Sequence, residues 1–150
     1  MSESTKITVE GNSSIENAIK VAFASNDMQK INSHFGGAKE FCVYRVSKDG
    51  FELEGIVKTD TSDLEGDDKT DFKIKALDGV NIMYCESIGP TAAAKVIRSG
   101  MHPMKDEQER KIEDVLKELV FMINANPPPW IKKIIHVQNS QDIRLARWAK

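Results

Sequence analysis

Residues Ile19 to Ser25 read IKVAFAS, an apolar run without the alternation of a half-exposed strand. Such a strand is covered on both faces, so the chain needs a sheet with other elements packed on either side. EFCVYRV (Glu40 to Val46) and FELEGIVKT (Phe51 to Thr59) are rich in β-branched and aromatic residues and read as two more strands. SKDG between them carries an Asp-Gly signal for a primed hairpin turn. A long turn-rich connection, NDMQKINSHFGGA, separates the first strand from this hairpin.

Helical signals begin after the hairpin. DFKIKALDG is a short helix stopped by Gly79, and VNIMYCES (Val80 to Ser87) is an apolar strand. IGPTAAAKVIRSG turns through Gly89-Pro90 into an Ala-rich helix with Thr91 as its cap and Gly100 at its end. MHPMK is a strand at the sheet edge, where Pro103 is tolerated. Asp106 and Glu109 form a box-like start for the next helix. There Ile112, Val115, Leu116, Leu119, Val120 and Ile123 recur at helical spacing until NPPP ends it. The order β-β-β-α-β-α-β-α predicts an α/β fold, a mixed five-stranded sheet with helices on its faces.

A length of 150 residues suits one core. The division expected is a polar lead-in over 1–18, a folded domain over 19–129 and a basic tail over 130–150. Asp60 to Asp71 holds six acids and one lysine and reads as a solvated loop. A net charge of −2 gives no global pull toward nucleic acid or acidic lipid. Cys42 and Cys85 lie too far apart for a CxxC motif, and the N-terminus has no apolar signal-like core. With no run long enough for a membrane span, a cytoplasmic protein with reduced thiols is expected.

Few residues carry chemistry. His34 precedes Phe35, Gly36 and Gly37, a loop able to fold tightly around a ligand, although a loop histidine is more often a plain hydrogen-bonding group. Cys85 ends an internal strand just before Gly89, on the edge where ligands collect in parallel sheets; the alternative is a small buried hydrophobe. Backbone N–H groups after Gly89 suit an anion. His102 sits between Met101 and Pro103, and Met101 and Met104 are either soft ligands or core. Cys42 shares a strand face with Tyr44 and Val46 and is structural. Hydrolysis has little support: IKVAFAS and NIMYC bear no carboxylates for divalent ions, and no serine stands in a GxSxG turn.

Three stretches, VAFASND…INSHFGGAKEF, NIMYCESIGPTAAAKVIRSGMHPMK and NPPPWIKK, together resemble the nitrogenase cofactor-assembly accessory proteins, the NifX, NifY and NafY group of the dinitrogenase iron–molybdenum cofactor biosynthesis family. The similarity runs from about Ile19 to Lys133, and NPPPW favours the NifX-like branch. It implies a ribonuclease H-like sheet and a non-catalytic carrier. Such a carrier holds the iron–molybdenum cofactor, or its NifB-derived iron–sulfur precursor, and passes it between NifB, a NifEN-type scaffold and apo-dinitrogenase. The resemblance makes His34 the metal ligand. Cys85 and His102 join the candidate cofactor site as residues able to share its sheet edge, and the Gly89-Pro90 turn adds Gly89 and the helix N-terminus, with Lys95 or Lys105 near the anionic cargo. Neither nucleic acid nor membrane is an expected partner. The competing reading is a metal-free regulatory module docking on assembly proteins through its basic tail. A ribonuclease-like enzyme ranks last.

Overall fold

The computed structural model describes residues 18–61, 64 and 66–136. The elements are β1 (Ile19–Ala24), β2 (Glu40–Ser47), β3 (Gly50–Lys58), α1 (Asp67–Ala76), β4 (Ile82–Cys85), α2 (Pro90–Arg98), β5 (His102–Lys105) and α3 (Ile112–Asn124). A further helical stretch occupies 129–136. The strands lie in the order β3-β2-β1-β4-β5. Only β2 runs against the others, because β1 pairs antiparallel with β2 and parallel with β4. This is the mixed five-stranded α/β sheet, ribonuclease H-like in topology, that the element order and the resemblance lead one to expect.

Successive side chains of a strand point to opposite faces, so the central β1 feeds two cores. Ile19, Val21 and Phe23 join Ile82, Tyr84 and the apolar stripe of α3, Ile112, Val115, Leu116 and Leu119. Phe23 stacks on Tyr84 at 5.2 Å and meets Tyr44 edge-on at 5.9 Å. On the other face β1 offers the small Ala22 and Ala24, and Phe35, Phe41 and Met83 join them with Val96 of α2.

Several local expectations give way to tertiary partners. The β2–β3 loop is Lys48-Asp49, neither of which has positive φ; that geometry falls on Gly50 at φ 139°, so the turn is not a primed one. Helix α1 starts at Asp67, inside the expected acidic loop, since acids suit the positive end of a helix. Strand β4 is shorter than the apolar run that predicts it. Gly89, not Thr91, caps α2, because Pro90 at the first helical position has its φ preset and no N–H to satisfy. Helix α3 starts at Ile112 without a side-chain cap. The Asp106 carboxylate is committed elsewhere, accepting from Gln108 N and Arg110 Nε, while Ile112 N donates to Gln29 O at 2.8 Å.

The segment beyond NPPP also belongs to the core. Ile131 is fully buried, Ile134 and Ile135 pack beside it, and Trp130 stacks on His102 at 4.5 Å. The apolar side of the expected tail is thus used against the sheet. The lead-in up to residue 17 and the stretch 137–150 lie outside the described residues. Among the described residues no helix is long and apolar enough to cross a membrane.

Candidate functional site

The C-terminal ends of parallel β1, β4 and β5 share one edge of the sheet, the edge at which ligands gather in such folds. The connection between β1 and β2 runs along it. Ser33 N donates to Ala24 O, Glu86 N to Ser33 O at 2.9 Å and Phe35 N to Ser87 O at 2.9 Å. Residues 33–35 therefore continue beside β4 like a short added strand. That pinning sends Phe35 into the core, fully buried and 5.9 Å from Phe41, while the neighbouring His34 is exposed. Gly36 and Gly37 follow with ordinary φ, and a Cβ on either would meet nothing within 4 Å. Their contribution is the lack of any side chain beside the imidazole rather than a left-handed backbone.

His34 Nδ1 is hydrogen-bonded to Ser87 Oγ. In the tautomer with Nδ1–H as donor, Nε2 keeps its lone pair for a ligand. Gly89, the extended cap of α2, stands two residues after Ser87, so the helix N-terminus belongs to the same rim. Lys105 ends β5 on this edge and lies only loosely near Glu107, at 3.9 Å. Lys95 is turned to α1, where its ammonium donates to Asp71 at 2.9 Å.

The other two sequence candidates are held elsewhere. Cys85 is fully buried in the cluster with Phe35 and Met83, its Sγ 3.9 Å from Met104 O. Burial pushes its thiol up to about 12, whereas a metal needs the thiolate. His102 is level with Ile82, three residues before the Cys85–Lys105 pair, hence about 10 Å down the strands from the rim. Its ring is spent on Trp130, and burial lowers its pKa. Parallel register, not sequence distance, separates His102 from His34. Met101 is core and Met104 packs against the α3-side cluster; Cys42 is buried on the strand face expected for it. Among the described residues no three His, Cys, Asp or Glu side chains are grouped to hold a metal ion.

Two expected outcomes follow from these buried groups. Native protein at neutral pH should react with a thiol reagent far more slowly than urea-unfolded protein at both cysteines, a difference read by timed alkylation and mass spectrometry. Burial also sets the alkaline behaviour. It raises Cys42 to about 11, and Cys85 and Tyr84 to about 12, from 9.0 for the thiols and 10.0 for the tyrosine. Their contribution to stability is fully present below about pH 9 and is lost as pH rises through those higher values. Lys73 acts with opposite sign, since burial lowers it from 10.5 to about 8 and stability rises with pH between the two. Burial raises Tyr44 as well. With four buried thiols and phenols against one lysine, the urea midpoint should fall above about pH 9; an unchanged midpoint up to about pH 11 would contradict this.

Sequence reasoning misses Ser87 and Lys73. Nothing local marks a serine two residues past Cys85 as the partner of a histidine 53 positions earlier. Lys73 sits in a polar helix yet is buried, donating to Ala38 O at 2.5 Å and Thr59 O at 3.0 Å.

Comparison with known proteins gives a family. The family model described as dinitrogenase iron-molybdenum cofactor matches residues 17–121. Protein NifX of Sinorhizobium fredii (strain NBRC 101917 / NGR234) is 38% identical over 125 residues, covering 79% of this chain and 78% of that one. Protein NifY of Azotobacter vinelandii is 26% identical over 136 residues, covering 91% of this chain and 56% of that one. The FeMo cofactor biosynthesis protein NifB of Rhizobium meliloti (strain 1021) is 31% identical over 115 residues, 75% of this chain but 24% of that protein.

Proposed function

The chain belongs to the dinitrogenase iron-molybdenum cofactor family, and from that premise we propose that it is a non-catalytic carrier of the iron–molybdenum cofactor or of its NifB-derived precursor. Its involvement is in the biosynthesis of that cofactor, and the NifX relatives are more similar to it than NifY. The observation that carries the carrier reading is the His34–Ser87 pair. It presents one oriented, exposed imidazole on a sheet rim beside a helix N-terminus. Cluster iron accepts the Nε2 lone pair, and a single attachment lets the cargo leave again, unlike the four thiolates of a permanent iron–sulfur centre. The cargo is anionic, so the α2 amides and Lys105 favour the same rim. Cys85 and His102 play no direct part in this reading, the first as a protonated core thiol and the second as the stacking partner of Trp130.

A carrier role also fits strands β1 and β4, whose sequences IKVAFA and IMYC offer no carboxylate for a catalytic divalent ion. The partners proposed are NifB as source, with a NifEN-type scaffold and apo-dinitrogenase as recipients. The test is anaerobic loading. Metal-free protein is mixed with isolated NifB-derived cluster or with the mature cofactor, gel-filtered, and its iron counted per chain. Iron that comigrates with the chain from either source supports the carrier. Iron from neither leaves a metal-free regulatory module as the better reading.

A further inference from the structure

A fully buried lysine calls for a reason, because an ammonium is costly to take out of water, and the charge of Asp60 offsets only part of that cost. Lys73 meets that cost with backbone and hydroxyl acceptors. Its three N–H donors have three partners, Ala38 O at 2.5 Å, Thr59 O at 3.0 Å and Thr59 Oγ1 at 3.4 Å. Both residues are junctions. Ala38 is where the His34 loop turns back into β2, and Thr59 is the first residue after β3. Thr59 reinforces the same point, with its N–H donating to Lys39 O at 2.8 Å and its hydroxyl to Ala38 O at 3.0 Å.

The loop between these anchors is short and contains two bare glycines. Its upstream end is tied by the hydrogen bonds of residues 33–35 to Glu86 and Ser87, and Gly37 N closes a turn onto His34 O at 3.1 Å. Its downstream end is tied by Lys73 and Thr59. Helix α1, which carries Lys73, is in turn linked to α2 by Asp71 and Lys95, and α2 begins three residues after Ser87. The tethers form a closed circuit around His34.

We infer that Lys73 is a positioning residue, whose buried ammonium holds the downstream end of the His34 loop and so sets the imidazole against Ser87 before any cargo arrives. The inference rests on His34 being the attachment point, but its test needs no cargo. Removing a charged hydrogen bond of this kind costs enough to raise local opening about tenfold to a hundredfold. A methionine of similar shape can occupy the buried site, since apolar replacements of buried charges are often tolerated.

The experiment compares wild-type and Lys73→Met full-length, cluster-free protein by NMR. The expected result is faster amide exchange at Gly37 and Thr59 by at least about tenfold, with β1 and β4 amides unchanged. The His34 ring nitrogen shifts should move from one Ser87-bound tautomer toward an average of two. A folded Lys73→Met protein with unaltered His34 shifts and Gly37 exchange overturns the inference. So does exchange that rises equally in β1, which would make Lys73 a general support of the core. Should Lys73→Met fail to fold, Thr59→Val removes one acceptor of Lys73 and one donor to Ala38; the same signals must move in the same direction, by less, or the inference fails. Iron loading of wild type is read separately, so a chain that carries no iron refutes the carrier and not the loop anchor.

Discussion

Replacing His34 with alanine should strip the chain of cluster-bound iron while leaving its fold intact. The imidazole is exposed, and its one described partner is the Ser87 hydroxyl, which water can satisfy once the ring is gone. Its loss therefore leaves no buried polar group unpaired, and the urea midpoint should stay within the roughly 0.5 kcal/mol usual for surface changes. Affinity is another matter. Even partners that merely orient a metal ligand change affinity by about 10–100-fold when removed, and the ligand itself should cost at least as much. Ser87→Ala, which frees the ring without deleting it, should fall between wild type and His34→Ala. The measurement is iron per chain after anaerobic loading and gel filtration. Equal retention by wild type and His34→Ala would remove His34 from the site and turn attention to Lys105 and the α2 amides.

The largest effect on stability is expected from Phe23→Ala. Phe23 lies on the central strand, one residue from its C-terminal end, with paired strands on both sides and ring contacts to Tyr44 and Tyr84. The backbone there cannot move in to fill the hole, so the cost should sit in the usual range for a buried phenylalanine, about 3–5 kcal/mol. Against a typical total of about 5–15 kcal/mol, that is enough to leave the variant partly unfolded in modest urea. Phe35→Ala deletes the same side chain from a loop, where local rearrangement can reclaim part of the space. It should cost less globally and show its effect at His34. Equilibrium urea denaturation of both variants checks the ranking; a smaller loss at Phe23 than at Phe35 would refute the rigid-centre argument.

Much of the architecture was legible because it rests on periodicity, a local property. IKVAFAS lacks alternation because β1 is covered on both faces, and the stripe from Ile112 to Leu119 maps directly onto the buried side of α3. Helix starts were less legible. Asp106 and Glu109 have the spacing of a box, yet Arg110 draws the Asp106 carboxylate away and Gln29 supplies the acceptor that Ile112 needs. The capping signal was overruled by partners 4 and some 80 positions distant in the chain.

His34, Cys85 and His102 show the division most plainly. Residue types and loop context in the sequence single out all three, and the sequence alone determines the strand content, the order of the elements and the need for two covered faces. It does not contain the level at which each strand stops. Parallel register raises Cys85 to the ligand edge but turns it into the core, leaves His102 about 10 Å below against Trp130, and sets Ser87 beside His34. Lys73 depends on tertiary structure too: a lysine in a polar helix gains its place only when Ala38 and Thr59 arrive from two other segments with carbonyls to receive it. Periodic burial is encoded residue by residue, whereas a site is made by residues that meet only after the sheet has closed, and that meeting was decided by the tertiary structure alone.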